Sequence, residues 1–395
     1  MCSSASLRKP FEGCDINSRI DREDISSMNG GREDEKQSKQ SSCSHLLLVP
    51  GECNFSGLKA DLFTIAKLIS QSEGKSGDIL IKELDARRVS PSTSCIRDNV
   101  PSKWFWCLDA AKLAATSALD LGFNSHPELK PFRPHFICVS FYKIFGYPTG
   151  LGALLIRRDM EPLIRKNYFG GGTLAAAAAD TMFSARKAGN MHDYLEDGTP
   201  NFYAIAALPR CFEFIRNLGG MEVIQARTFR LTSYLAREMT ALRHSSGLPL
   251  CTLYGEHGSA SLERQGPVIA FNLQWRSGEA IGFAEVARLA QSHRIYLRAG
   301  CFCNVGACQE WLELSAEEME ENYRHGRVCG TDSHDVVNGR NTGAVRVSLG
   351  FNSTERDCDL LLTFLKESYL NKEPEVRKLR YSLEAMRSIS RFVIT

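Results

Sequence analysis

No stretch of this 395-residue chain approaches the roughly 20 consecutive apolar residues that a bilayer span needs. Neither sign of charge prevails. The 48 Lys and Arg stand against 46 Asp and Glu, and a net charge of +2 gives no field to draw nucleic acid or a membrane surface. The N-terminus lacks the basic, apolar and small-residue order of a secretory signal. Fourteen cysteines are scattered over an otherwise ordinary globular composition instead of framing a small secreted scaffold, so the expected compartment is reducing and cytosolic. There is no internal repeat. What remains is a chain long enough for two packed domains with a large core.

Residues 1–44 are rich in Ser, Asp, Glu, Lys and Arg with isolated apolar residues, and are expected to be disordered because they bury too little surface to offset chain entropy. Structure is expected to begin at His45-Leu-Leu-Leu-Val-Pro50, a short strand. Strands and helices then alternate to about residue 200, the pattern of an α/β sheet with covering helices. Helical periodicity at 202–217 and 221–243 leads to strand-like Gly266–Leu273, Arg294–Leu297 and Ala344–Ser348, with helices near 280–292 and 355–370. The organisation expected is α/β: a mostly parallel large domain over 45–215, a smaller α+β domain over 216–375 and a helical tail over 376–395.

The run Phe136-Ile-Cys-Val-Ser140-Phe-Tyr-Lys143 places a lysine at the end of an apolar, β-branched strand, just before a Gly/Pro turn. Desolvation there would lower the amine's pKa, as a lysine needs to form a Schiff base with an aldehyde cofactor; otherwise the side chain simply snorkels to water. Upstream, Trp104-Phe-Trp-Cys-Leu108 reads as a buried strand with Asp109 at its carboxyl end, where ligands sit in open α/β sheets. A carboxylate there can keep a pyridine nitrogen protonated, although a turn or cap is an equally simple use for an aspartate. A strand-end Asp followed by a strand-end Lys is typical of fold-type I pyridoxal phosphate enzymes.

The cluster Cys301, Cys303 and Cys308, with His325 and Cys329 beyond, leaves three readings open. The Cys-x-Cys-x4-Cys spacing is unusual for structural zinc, so no metal site is assigned. Buried structural thiols, or a nucleophile on a mobile Gly-rich loop, remain. Ser140-Phe-Tyr-Lys143 also fits the Ser-x-x-Lys motif of penicillin-binding proteins, but that motif opens a helix, whereas here it is expected to close a strand.

Ser140–Leu154, Tyr168-Phe-Gly-Gly-Gly-Thr173 and Arg298-Ala-Gly-Cys-Phe-Cys303-Asn-Val-Gly-Ala-Cys308 resemble the cysteine desulfurase-like domain of the molybdenum cofactor sulfurases. Glu52-Cys-Asn54-Phe-Ser-Gly57, Leu195-Glu-Asp-Gly-Thr199 and Gly343-Ala-Val-Arg346-Val-Ser-Leu-Gly350 extend the resemblance over about 45–370, and Asp109-Ala-Ala-Lys112 looks most like the plant members. The resemblance implies a fold-type I, pyridoxal 5′-phosphate-dependent desulfurase that takes sulfur from L-cysteine, leaves alanine and passes the sulfur to the molybdenum cofactor of xanthine dehydrogenase and aldehyde oxidase.

By the same resemblance Lys143 holds the cofactor and shuttles protons, Asp109 sustains the electron sink and Cys303 carries the persulfide. Arg346 forks onto the substrate carboxylate. Asn54 faces the phenolic oxygen, Ser140 meets the phosphate and Thr199 reaches it from the other subunit of a homodimer. The family's Ser/Thr-Gly-rich phosphate loop has no counterpart in residues 1–44, and a C-terminal domain for the molybdenum cofactor is also lacking. A truncated relative with weak catalysis, acting as a binding protein, is therefore the alternative expectation.

Overall fold

The computed structural model describes residues 43–72, 102–146, 150–166, 168–258, 261–330 and 334–374. The polar segment up to residue 42 and the expected tail over 376–395 lie outside them. Strand β1 (Cys43–Pro50) begins two residues earlier than expected, so Cys43 and Ser44 belong to the sheet.

Strand β1 pairs in parallel with β2 (Ser102–Asp109), and β2 with β3 (Phe136–Ser140). The sheet ends on the antiparallel β4 (Gly152–Ile156). Period-two alternation sends Leu47, Val49, Trp104, Trp106, Leu108 and Ile137 into one core, where they meet helix α1 (Leu62–Ser72). Asp61 starts α1 by accepting the Thr64 N–H. On the opposite face Leu46 and Leu48 stay 56% and 69% exposed, and Leu154 of β4 54%.

Two expectations change here. Lys143 is not on the strand: β3 stops at Ser140, and Phe141–Phe145 form a short helix, α2, closed by Gly146 in the left-handed region with its N–H on the Tyr142 carbonyl. Ser140-x-x-Lys143 thus does open a helix, so helical context no longer argues against the hydrolase motif. Regular alternation also fails, because between β2 and β3 the described chain runs through short 3-10 turns instead of a covering helix.

A hairpin of β5 (Leu174–Ala177) and β6 (Ser184–Arg186) and the short helix α3 (Met191–Leu195) lead to the long helices α4 (Phe202–Asn217) and α5 (Gly220–Ala241). A second sheet follows, with β7 (Cys251–Tyr254), β8 (Val268–Gln274), β9 (Ala280–Ile281), β10 (Arg298–Gly300) and β13 (Ala344–Ser348) antiparallel in the order β10-β13-β8-β7 and β9 beside β8. Its core is packed by α5, α6 (Phe283–Ser292) and α9 (Glu355–Tyr369). Thr354 and Asp357 form a capping box that starts α9.

The strand expected at Arg294–Leu297 instead lies at Arg298–Gly300, because the Arg294 and Ile295 N–H groups are used to close α6 on the Gln291 and Ala290 carbonyls. Between β10 and β13 stand α7 (Val305–Leu312), α8 (Ala316–Arg324) and the small hairpin β11 (Val336–Val337) with β12 (Arg340–Asn341), none of which was expected. The described residues belong to one compact unit. The two sheets are stitched by the Leu58–Gln265 bridge and the Gly266 N–H on the Gly57 carbonyl.

Candidate active site

The turn after β1 builds one wall. The Cys53 N–H bonds the Leu58 carbonyl and the Gly57 N–H bonds the Cys53 carbonyl, folding Glu52–Leu58 into a tight loop. Gly57 has φ +76°, and a Cβ there would lie 2.5 Å from Val268 Cγ2, so only glycine lets this loop rest on β8. The loop buries the Glu52 carboxylate, whose Oε1 pairs with Lys112 Nζ at 3.2 Å while the Glu52 side chain is fully shielded from solvent.

Burial pulls the Lys112 pKa down, and Arg346 and Lys143 pull the same way against Glu52. Lys59 is likewise lowered by burial and supported by Glu52. A single buried carboxylate thus serves several cations.

Strand β13 brings in Arg346. Its Nη1 donates to the Asn54 carbonyl at 2.5 Å, its guanidinium lies 4.7 Å over the Phe302 ring, and its Nε is buried with no hydrogen-bond partner. Arg298 stands directly across the strand pair. Burial lowers the Arg346 pKa and Arg298 lowers it further, whereas Glu52 and the sulfurs of Cys303 and Cys53 act in the opposite sense. Two guanidinium groups side by side, one with a spare donor, make a seat for an anion.

The cysteine loop forms the other wall. Phe302 and Cys303 both have positive φ, +55° and +58°, so the chain turns sharply, burying Phe302 beside Phe55 and leaving Cys303 exposed. Cys301 and Cys308 pair as a disulfide, with Cα atoms 5.3 Å apart. Three buried free thiols are therefore not what the loop holds. Asn304 begins α7, its Oδ1 accepting the Ala307 N–H while its Nδ2 donates to Cys53 Sγ at 3.3 Å.

Lys143 and Asp109 lie at the carboxyl ends of adjacent parallel strands, with Asp109 in register with Cys138. Lys143 is half-buried on α2 and within electrostatic reach of Lys112, which ties it to the cluster. Asp109 is exposed and its Oδ1 accepts the Ala111 N–H at 2.9 Å, so it does form the turn that the plain reading expects. Its charge also reaches Cys107, whose thiol burial pushes up to about 12 with help from Cys138, 3.9 Å away.

Ser140 caps α2 by position, but its hydroxyl makes no capping bond. Thr199 is exposed on the stretch between α3 and α4 and takes part in none of the bonds that build the cluster. Asp197, two residues before it, accepts the Gly170 N–H at 2.7 Å through its side chain, accepts the Gly172 N–H at 2.9 Å through its backbone carbonyl, and pairs with Lys166. The glycine run and the Leu195–Thr199 motif are therefore one unit.

The structure gathers Glu52, Cys53, Asn54, Lys112, Lys143, Phe302, Cys303 and Arg346. Glu52, Cys53, Lys112 and Phe302 are members of this cluster to which the sequence assigns no role. Glu52 and Lys112 sit inside motifs already singled out, but only a carboxylate flanked by Gly51 and Cys53, a poor context for a solvated side chain, hinted at burial.

Residues 126–361 match the family described as aminotransferase class-V. The chain is 41% identical over 335 residues to a molybdenum cofactor sulfurase of Anopheles gambiae, which covers 83% of this chain and 39% of that protein. With the molybdenum cofactor sulfurase of Arabidopsis thaliana it shares 38% over 336 residues, 85% of this chain and 38% of the relative, so identity does not single out the plant members. The chain thus spans about two-fifths of the length of the curated relatives it matches. Among solved structures, the apo cysteine desulfurase of Thermococcus onnurineus NA1 superposes with a TM-score of 0.53 at 19% identity, over 82% of this chain and 59% of that one. The cysteine desulfurase CsdA of Escherichia coli gives 0.51 at 16%, over 82% and 58%. At those identities the likeness is one of fold.

Proposed function

We propose, from the premise that this chain belongs to the aminotransferase class-V family and is a homologue of molybdenum cofactor sulfurases, that it takes sulfur from L-cysteine onto Cys303 for delivery to the molybdenum cofactor. The observation that carries this reading is the placement of Arg346 against both the turn at Asn54 and the loop that displays Cys303. The family match also sets aside the Ser-x-x-Lys hydrolase motif.

The residues present fit pyridoxal phosphate. Lys143 offers an amine, Asp109 a carboxylate at the neighbouring strand end, and Arg346 Nε is a buried donor without a partner. When bound, the cofactor supplies an aldehyde for amines and a protonated pyridine ring that draws electrons from the substrate. Lys143 would hold it and, once released, move protons at its Nζ. Asp109 would keep the pyridine nitrogen protonated, with Asn54 and Ser140 as polar neighbours and Thr199 serving a second copy in a homodimer.

Arg346, stacked on Phe302, would bind the carboxylate of cysteine through its fork and so point the substrate thiol at the loop. Cys303 would attack the sulfur of cysteine as the thiolate, the carbon–sulfur bond would break with its electron pair left on the carbon that becomes alanine's methyl group, and Cys303 would keep the sulfur as a persulfide. The Lys112–Glu52 ion pair forms the floor of the site and keeps Lys143 beside a fixed neighbour.

A binding role without strong catalysis has one observation in its favour, the exposed Leu46, Leu48 and Leu154 on a sheet whose parallel strands ordinarily bury both faces. Incubation with pyridoxal phosphate and L-cysteine separates the two. Desulfuration predicts alanine, a persulfide mapped to Cys303, and borohydride-fixed cofactor on Lys143 that is lost in Lys143→Ala. Cofactor fixed on Lys112 instead, or no persulfide at Cys303, would refute the assignment.

A further inference from the structure

Cys53 is a thiol at this site with no part in the scheme above, and the structure surrounds it with donors. The Ser56 N–H points at its Sγ from 3.4 Å and Asn304 Nδ2 from 3.3 Å. The Asn304 amide cannot be turned around, because its Oδ1 is held by the Ala307 N–H at the start of α7. The Arg346 guanidinium lies 4.7 Å over the ring of Phe302, the residue before Cys303, and interacts electrostatically with the sulfurs of both Cys53 and Cys303. Two N–H donors and a cation around a sulfur suit its anionic forms, thiolate and persulfide alike. Asn304 follows Cys303 directly, so the residue that carries sulfur and the donor that reaches Cys53 move as one loop.

Resting on the sulfur-transfer reading, we propose that Cys53 is a second persulfide site, which receives sulfane sulfur from Cys303 and shelters it on the inner wall of the turn. The step is a thiol exchange with no net oxidation. The Cys53 thiolate attacks the terminal sulfur of the Cys303 persulfide, the bond from that sulfur to Cys303 Sγ breaks, a new sulfur–sulfur bond forms at Cys53 Sγ, and Cys303 leaves as thiolate to take up the proton that Cys53 gave away. Cys303 is exposed while Cys53 is half-buried, so the exchange moves reactive sulfur from solvent to shelter.

The test uses the full chain and inorganic polysulfide as the sulfur donor, which bypasses the cofactor. Samples quenched over time with an alkylating agent and mapped by peptide mass spectrometry should show sulfane sulfur first on Cys303 and later on Cys53, and Cys303→Ser should leave Cys53 unloaded. Asn304→Asp keeps the helix cap but removes the donor, and is expected to lower Cys53 loading about tenfold, the size of one hydrogen bond to a charged group, while Cys303 loads as before. Persulfide confined to Cys303, or Cys53 loading that ignores Cys303→Ser, would overturn the relay alone. No persulfide at Cys303 would bring down the sulfur-transfer reading and the relay with it.

Discussion

Replacing Glu52 by Gln removes a charge and almost no volume, so it isolates what the buried carboxylate does. At 3.2 Å from Lys112 Nζ, the pair attracts by about 5 kcal/mol at an effective dielectric constant of about 20. Desolvation of both ions offsets part of that, but the amide leaves the Lys112 ammonium stranded, and breaking a buried pair from one side costs about 3–5 kcal/mol. Burial, Arg346 and Lys143 already pull the Lys112 pKa down, so without Glu52 the folded chain sheds a proton that the unfolded chain keeps. Stability of Glu52→Gln should therefore rise with pH more steeply than that of the native chain. Urea unfolding followed by circular dichroism at pH 7 and pH 9 gives both quantities. Glu52→Gln/Lys112→Met, which leaves no buried ion, should recover most of the loss. A single variant within about 1 kcal/mol of native, or a double variant as weak as the single, would refute the account.

Arg346→Lys keeps the charge but loses the fork and the flat face on Phe302. Cysteine binding should weaken by on the order of 2–4 kcal/mol, read as the concentration that half-saturates persulfide at Cys303, and unchanged saturation would place the carboxylate elsewhere. Gly57→Ala combines a left-handed backbone with a collision against Val268 and should cost at least about 2 kcal/mol in urea unfolding, whereas Gly146→Ala, with open space at its Cβ, should cost only about 1 kcal/mol for its backbone. His135 accepts the Trp106 N–H on Nδ1 and is held down to about 4 by burial and then by Arg157. The unfolded chain takes a proton near 6.5 that the folded chain refuses, so stability should fall by up to on the order of 3 kcal/mol between pH 6.5 and 4, and His135→Gln should flatten that slope.

Where local pattern and burial coincide, the chain could be read directly. The alternation of Leu47 and Val49, or of Trp104, Trp106 and Leu108, marks strands whose inner face meets a core, and the Thr354–Asp357 box marks where α9 starts. Lys143 was misplaced by a few residues because Phe141-Tyr-Lys-Ile-Phe is as apolar as the strand before it, and the stop at Ser140 depends on pairing with β4 and on Gly146 ending the helix. The segment after Cys303 holds an eight-residue helix capped by Asn304, which its glycines and cysteines conceal in the sequence. Lys112 and Cys53 carry no local signal of their roles, and Glu52 carries only a hint of burial, since each is defined by a partner far away in sequence.

The bond from Arg346 to the Asn54 carbonyl joins residues 292 positions apart, and the second wall of the site comes from the loop just after β10. Closing so long a loop is entropically expensive and slow, and is repaid only when both strand systems are in place. During synthesis the anion seat cannot exist until β13 has left the ribosome, so Cys303 emerges before the arginine that will sit beside it. In the mature protein the same topology makes Arg346 a reporter of complete folding, because losing either wall releases the guanidinium. A chain nicked in the turn at Asn54 would keep the second sheet and still lose the site.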